Sequence, residues 1–221
     1  WAIDLAYSRK LHEYVSMAVA LRFLYSDLTN GANFTGTSAQ EMYPGWTMAA
    51  DVALYYKQPI SLPMGDSYFG LGLNISNLGG KMSYDEGTTQ NFIPANLRLG
   101  VSYEIPFDNY NRLMATVECN KMLVPTYQSK FATDTENHKM NQEEYSAISS
   151  VNGWWMSFCD APGYYDDVRN KQVSPLAEEF QEVQWGVGLE YSYNRQFFGR
   201  VGYSHENYWK GNRRYVTVGA G

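Results

Sequence analysis

Apolar and polar residues alternate along most of this chain in segments of about nine to thirteen residues. From Val15 to Asp27 the odd positions are Val15, Met17, Val19, Leu21, Phe23 and Tyr25. The even positions are Ser16, Ala18, Ala20, Arg22, Leu24 and Ser26, and Leu24 alone breaks the rule. The pattern returns from Trp1 to Tyr7, Met48 to Tyr56, Phe69 to Ile75, Leu97 to Ile105 and Leu113 to Cys119. It returns again from Val183 to Tyr191, at Val201 and Tyr203, and at Val216, Val218 and Ala220. A period of two puts one set on each face of a strand, whereas a helix repeats every 3.6 residues. The chain is therefore predicted to be all-β, with about nine strands.

Alternation alone does not say whether the apolar face meets a protein core or lipid. Three features select lipid. The segments exceed the usual soluble strand and match the nine to eleven residues of a tilted membrane strand. The polar face mixes Gly, Ser and Asn with the charges Asp4, Arg22, Asp51, Arg98, Glu104, Glu118, Glu190 and Arg200, while the apolar face within the strands carries none. Aromatic residues (Trp1, Tyr7, Tyr25, Tyr56, Tyr103, Tyr191, Tyr203) end many apolar rows, as rings favouring the lipid–water interface do.

The connections agree. Tight ones are expected around Leu11–Tyr14, Pro106–Asn111 and Asn194–Gln196, with Gln58–Asp66 somewhat longer. Long ones span Leu28–Gly45, Asn77–Phe92 and roughly Val124–Glu182. Short turns on one rim and long loops on the other describe an antiparallel transmembrane β-barrel of the outer-membrane kind. Residues 1–221 read as a single partial barrel domain with a long extracellular loop at about 124–182. Nine is an odd count, and an unclosed sheet leaves unpaired edges in lipid. The opening on Trp1, without an initiator Met, and the ending on Val-Gly-Ala-Gly point to a longer precursor.

Composition narrows the function. No apolar run reaches the length of a membrane-spanning helix. A formal charge of −6 argues against nucleic acid as a partner. Aromatics make up 16% of the chain, which speaks against long disorder, and two cysteines are too few for a disulfide scaffold. Cys119 and Cys159 are expected as free thiols. His12, His138 and His205 lack ligand spacing, so neither a metal nor another cofactor is expected. Ser204 beside His205 is a weak hydrolase candidate, because neighbours in a strand point to opposite faces. No catalytic motif is present, and the chain is expected not to be an enzyme.

In the long loop Ile148, Val151, Trp155 and Phe158 are spaced as one face of a short helix, although Asn152 and Gly153 weaken it. Ser174 followed by Pro175 resembles a helix start. Trp154, Trp155 and Phe158 either fold inward to cap the mouth or anchor a protein partner. Phe34 stands alone among polar residues of the first long loop, as an inserted tip would. The lumen charges either line a solute path or pair across strands and fill the interior.

Several segments resemble one family together. They are AIDLAYSRKL (Ala2–Leu11), VALRFLYSDL (Val19–Leu28), FGLGLNISNLGGKMSY (Phe69–Tyr84), FIPANLRLGVSYEIP (Phe92–Pro106), NKMLVPT (Asn120–Thr126) and WGVGLEYSYNRQFFGRVGYSHE (Trp185–Glu206). They resemble the PorV (LptO) family of the Bacteroidetes type IX secretion system, related in architecture to FadL-type barrels. The resemblance implies a 14-stranded barrel in the cell outer membrane, surrounded by its lipid and without enzymatic activity. It implies cargo proteins bound through a conserved C-terminal secretion domain, received at the translocon barrel (SprA or Sov). Delivery would be to an attachment complex containing PorU, PorQ and PorZ. Alternatives of other classes are a FadL-like transporter of hydrophobic solutes and an outer-membrane lipid A-modifying enzyme.

Overall fold

A computed structural model describes residues 1–28, 42–85 and 89–221. In chain order the elements are β1 (Ala2–Lys10), β2 (Val15–Ser26), β3 (Gly45–Leu62), β4 (Gly65–Gly79), the short β5 (Lys81–Met82) and β6 (Asn91–Phe92), β7 (Asn96–Pro106) and β8 (Asn111–Met122). The long loop then holds helices α1 (Gln142–Ala147) and α2 (Ser150–Met156), the short β9 (Tyr164–Asp166) and β10 (Lys171–Val173), and helix α3 (Pro175–Gln181). The chain returns to the wall with β11 (Gln184–Tyr193), β12 (Phe197–His205) and β13 (Arg214–Ala220).

Nine strands form one antiparallel sheet in the order β1-β2-β3-β4-β7-β8-β11-β12-β13, each paired with its neighbours in the chain. Among the described residues, β1 pairs with β2 alone and β13 with β12 alone, so these two strands are the ends of the sheet. No helix among the described residues is long and apolar enough to cross a membrane.

The alternation reproduces the two faces, and the apolar one is turned outward. Along β11, Trp185, Val187, Leu189, Tyr191 and Tyr193 are exposed, while Gly186, Gly188, Glu190 and Ser192 are partly or fully covered. A protein built for water does the reverse with its large apolar side chains, so the exposed face is the one suited to lipid. Charges enter the apolar alternation only at strand ends, at Arg9, Lys121 and Arg214. Leu24, the exception in β2, lines a cavity with Met82, Tyr84 and Phe92 near the strand ends.

On the covered face, small residues lie under larger ones. Gly70, Ser102, Thr116, Gly188, Gly202 and Thr217 are in register across six strands. A Cβ on Gly70 would stand 2.5 Å from Ser102 Oγ, and one on Gly188 or Gly202 would stand 2.7 Å from the Thr116 or Thr217 hydroxyl. Glu118 lies over Gly186 in the same way, 2.8 Å from where a Cβ would be.

The two rims differ as expected, with one change. The 58–66 stretch is strand rather than a loop: β3 runs to Leu62, and Pro63 and Met64 turn directly into β4. Pro59 lies inside this strand. It sits where β3, past the bond from Lys57 N–H to Tyr14 O, is paired with β4 alone, and an edge tolerates a missing N–H. At the other end of β4 the register slips opposite Asp51, where Asn77 takes a left-handed backbone (φ 58°) and donates its N–H to Asp51 at 2.7 Å. An extra residue of this kind is a β-bulge, which bends a strand near a rim.

Candidate functional site

The long-loop rim carries its own small interior. Helix α1 starts at Asn141, whose side chain accepts from Glu144 N–H at 2.8 Å while Glu144 accepts from Asn141 N–H at 3.1 Å. This reciprocal capping satisfies two free backbone donors. Ser149 caps α2 and Ser174 caps α3, with Pro175 at the first helical position as expected. Tyr145 stacks on Tyr127 with centroids 4.0 Å apart, meets Phe92 edge-on at 5.1 Å, and donates to Pro125 O at 3.1 Å. Burial pushes its hydroxyl up to about 12. Ala132 and Met140 complete this cluster, with Phe92, Ile148 and Met156 against it. Gly153 is required at its place, because a Cβ there would lie 2.6 Å from the Phe92 ring. Lys81 Nζ donates to Ser146 O at 2.8 Å and joins β5 to α1.

Helix α3 is built inside out. Glu178 and Glu179 are buried, whereas Leu176 and Phe180, one turn apart, are 74% and 72% exposed. The acids face two lysines, one at the end of a wall strand and one in a strand connection. Lys121 Nζ, at the end of β8, lies 3.0 Å from Glu179 and 2.7 Å from Glu182. Lys210 Nζ, between β12 and β13, lies 2.7 Å from Glu178 and 2.9 Å from Glu182. Glu179 and Glu178 also accept from Ala161 and Gly163 N–H, each at 2.8 Å. Burial works against the Lys210 charge, but Glu178 and Glu182 outweigh it and hold the ammonium above its ordinary range. Asp160 is fully buried beside this cluster and accepts from Thr126 N–H at 2.8 Å through Oδ2, while Oδ1 has no hydrogen bond. Burial, reinforced by Glu182 and Glu179, pushes its carboxyl up to about 6. These contacts form a charged clasp fastening the loop to two separate points of the wall.

A second latch closes the β12–β13 connection. Glu206 accepts from Arg213 Nε at 2.7 Å and Nη2 at 2.8 Å, and from Gln184 at 2.6 Å. The Arg213 guanidinium holds its carboxyl down at about 2.

The aromatic candidates of the loop end up apart in character. Trp155 is 72% exposed and Phe158 is also exposed, with ring centroids 6.4 Å apart, while Trp154 is half-buried. Helix α2 is shorter than the spacing suggested. Ile148 caps α1 and packs on the small interior, and Phe158 lies beyond the helix end. Phe34 lies outside the described residues.

The eight charges expected on the lumen side share the polar alternation. Arg22 bridges Asp4 at 2.7 Å and Asp51 at 3.2 Å, and Arg200 pairs with Glu190. Glu104 pairs with Arg112 at 2.6 Å. Arg98 and Glu118 have no ion pair among the described residues. Ser204 and His205 point to opposite faces, and His205 Nδ1 is 3.5 Å from the Tyr203 hydroxyl instead. Cys119 and Cys159 are unpaired.

Sequence reasoning missed Asp160, Lys121, Glu178, Glu179, Glu182 and Lys210. One signal was present: after the Ser174-Pro175 start, Glu178, Glu179 and Glu182 recur at helical spacing on one face. Their lysine partners lie 58 or more residues away for Lys121 and 28 or more for Lys210, and no local pattern connects them.

Among curated proteins, none matches the chain. A family model described as Type IX secretion system protein PorV matches residues 1–129, more than half of the 221. The match runs from β1 through β8 into the start of the long loop. This chain belongs to the PorV family of type IX secretion system proteins.

Proposed function

We propose that this protein is a non-enzymatic outer-membrane barrel that binds secreted cargo at the type IX translocon and passes it to the cell-surface attachment complex. In this reading the long loop is the extracellular docking element. The cargo is held through its C-terminal secretion domain. The partners are the translocon barrel (SprA or Sov) and the PorU, PorQ and PorZ proteins. The observation that carries the reading is the exposed apolar surface on the loop: Trp155 on α2, Phe158 just beyond it, and Leu176 and Phe180 on α3, the helix the clasp holds, are all exposed. Large exposed apolar side chains on a fixed support are what a protein interface uses as anchors. The separation of Ser204 from His205 supports a role without catalysis, and the polar inner face suits a FadL-like path for apolar solutes poorly.

The test is capture of the full-length protein from native outer membranes. Wild type is expected to bring down translocon and secreted proteins. Truncating a central aromatic anchor costs about 2 kcal/mol or more. Trp155→Ala with Phe158→Ala is therefore expected to weaken capture at least about 30-fold while gel mobility of the folded barrel stays unchanged. Undiminished capture by the double variant would remove the loop from the interface. Recovery of neither partner class by wild type would refute the reading.

A further inference from the structure

The clasp is short of positive charge. Four carboxylates (Asp160, Glu178, Glu179, Glu182) share two ammonium groups, Lys121 and Lys210. Every one of the three glutamates is paired with a lysine. Asp160 is not: it is fully buried, and among the described residues its Oδ1 accepts from nothing and neither lysine bridges it. An uncompensated buried carboxylate is costly, so it takes up a proton or a cation.

The geometry favours the cation. One carboxylate oxygen from each of Asp160, Glu179 and Glu182 lies within 4.8 Å of the other two. Calcium binds oxygens at about 2.3–2.6 Å, so two ligands across one ion stand up to about 5 Å apart. Magnesium, at about 2.0–2.1 Å with strict octahedral demands, would have to draw three side chains from separate segments closer. Hard oxygen donors without sulfur or imidazole exclude the softer metals as the natural occupant. Adding two positive charges would balance the four carboxylates.

We propose that Asp160, Glu179 and Glu182 form a calcium site that locks the long loop onto the wall. Lys121, which now bridges Glu179 and Glu182, competes with the ion and yields at least one of these carboxylates when it binds. The site is a place of exchange between a tethered ammonium and a free divalent cation.

Isothermal titration of the full chain in detergent micelles with calcium chloride tests this, with magnesium chloride as the comparison. Wild type is expected to bind one calcium per chain, at least tenfold more tightly than magnesium. Asp160→Asn, which keeps the shape and removes the charge, is expected to lose tenfold or more. Lys121→Met is expected to gain tenfold or more, because the competitor is gone. Bound calcium is also expected to slow proteolysis within the loop in wild type and not in Asp160→Asn. Gel mobility verifies that each variant barrel is folded. The proposal fails if wild type shows no saturable heat up to 10 mM calcium, if Asp160→Asn binds as well as wild type, or if Lys121→Met alone binds. The last result would mean that the lysine owns the site.

Discussion

The wall and the long loop are held together by opposite means. In the wall, large apolar side chains point away from the protein and most of the charges on the other face pair across strands, as Arg22 does with Asp4 and Asp51. In the loop, Tyr145, Met140 and Ala132 make a conventional apolar interior, yet the attachment to the wall is ionic. The wall owes its order to strand pairing, and its outward face suits a medium that rewards apolar exposure. The loop resembles a small water-soluble unit fastened at a few points. Each region should therefore fail under a perturbation the other tolerates.

The largest expected effect falls on the wall. Val117 lies mid-strand on the outward face, opposite Val101 and Val187. Val117→Arg would place a charge near the bilayer midplane at a cost of about 2–4 kcal/mol. The folded fraction in bilayers, read by heat-modified gel mobility, should fall sharply. Retention of wild-type stability would mean that this face does not meet lipid.

A smaller effect is expected in the loop. Gly153→Val forces two methyls and a Cβ into the space of the Phe92 ring, and overpacking of this kind costs about 1–3 kcal/mol. Limited proteolysis should then cut within residues 130–183, while gel mobility of the barrel is unchanged. Loss of the barrel along with the loop would show that the two regions fold as one unit.

These two positions also show what the sequence could convey. Val117 is legible because a strand writes its environment into a local period of two, and a membrane wall repeats that period strand after strand. Gly153 was read only as a weak point in a helix, since the Phe92 ring that demands it is 61 residues away. The same limit hid the clasp. Glu178, Glu179 and Glu182 announce a polar helical face, and a polar face ordinarily means solvent; burying it against Lys121 and Lys210 is a tertiary decision. The expectation of a connection at Gln58–Asp66 fails for a related reason: whether Pro59 fits a strand depends on which neighbouring strand has already ended.

The smallest effect concerns pH. Glu206 is held at about 2, below its ordinary value of 4.5, chiefly by Arg213. The latch therefore contributes its full stabilisation above about pH 4.5 and loses it as pH falls toward 2. Amide exchange between β12 and β13 should quicken over that window while exchange in mid-wall strands does not. Glu206→Gln should make it quick at neutral pH and remove the dependence. Equal pH response in both regions would erase the distinction between latch and wall.

The rows of small residues on the covered face have a mechanical consequence. Bending a sheet crowds the side chains on the inside of the bend and spreads those on the outside. Along the row from Gly70 to Thr217, glycine, serine and threonine occupy one side while leucine, valine and tyrosine fill the other, so curling toward the small side there meets little resistance and curling the opposite way would jam. The sense of curvature is thus chosen by side-chain volume, strand by strand, before any two edges have met.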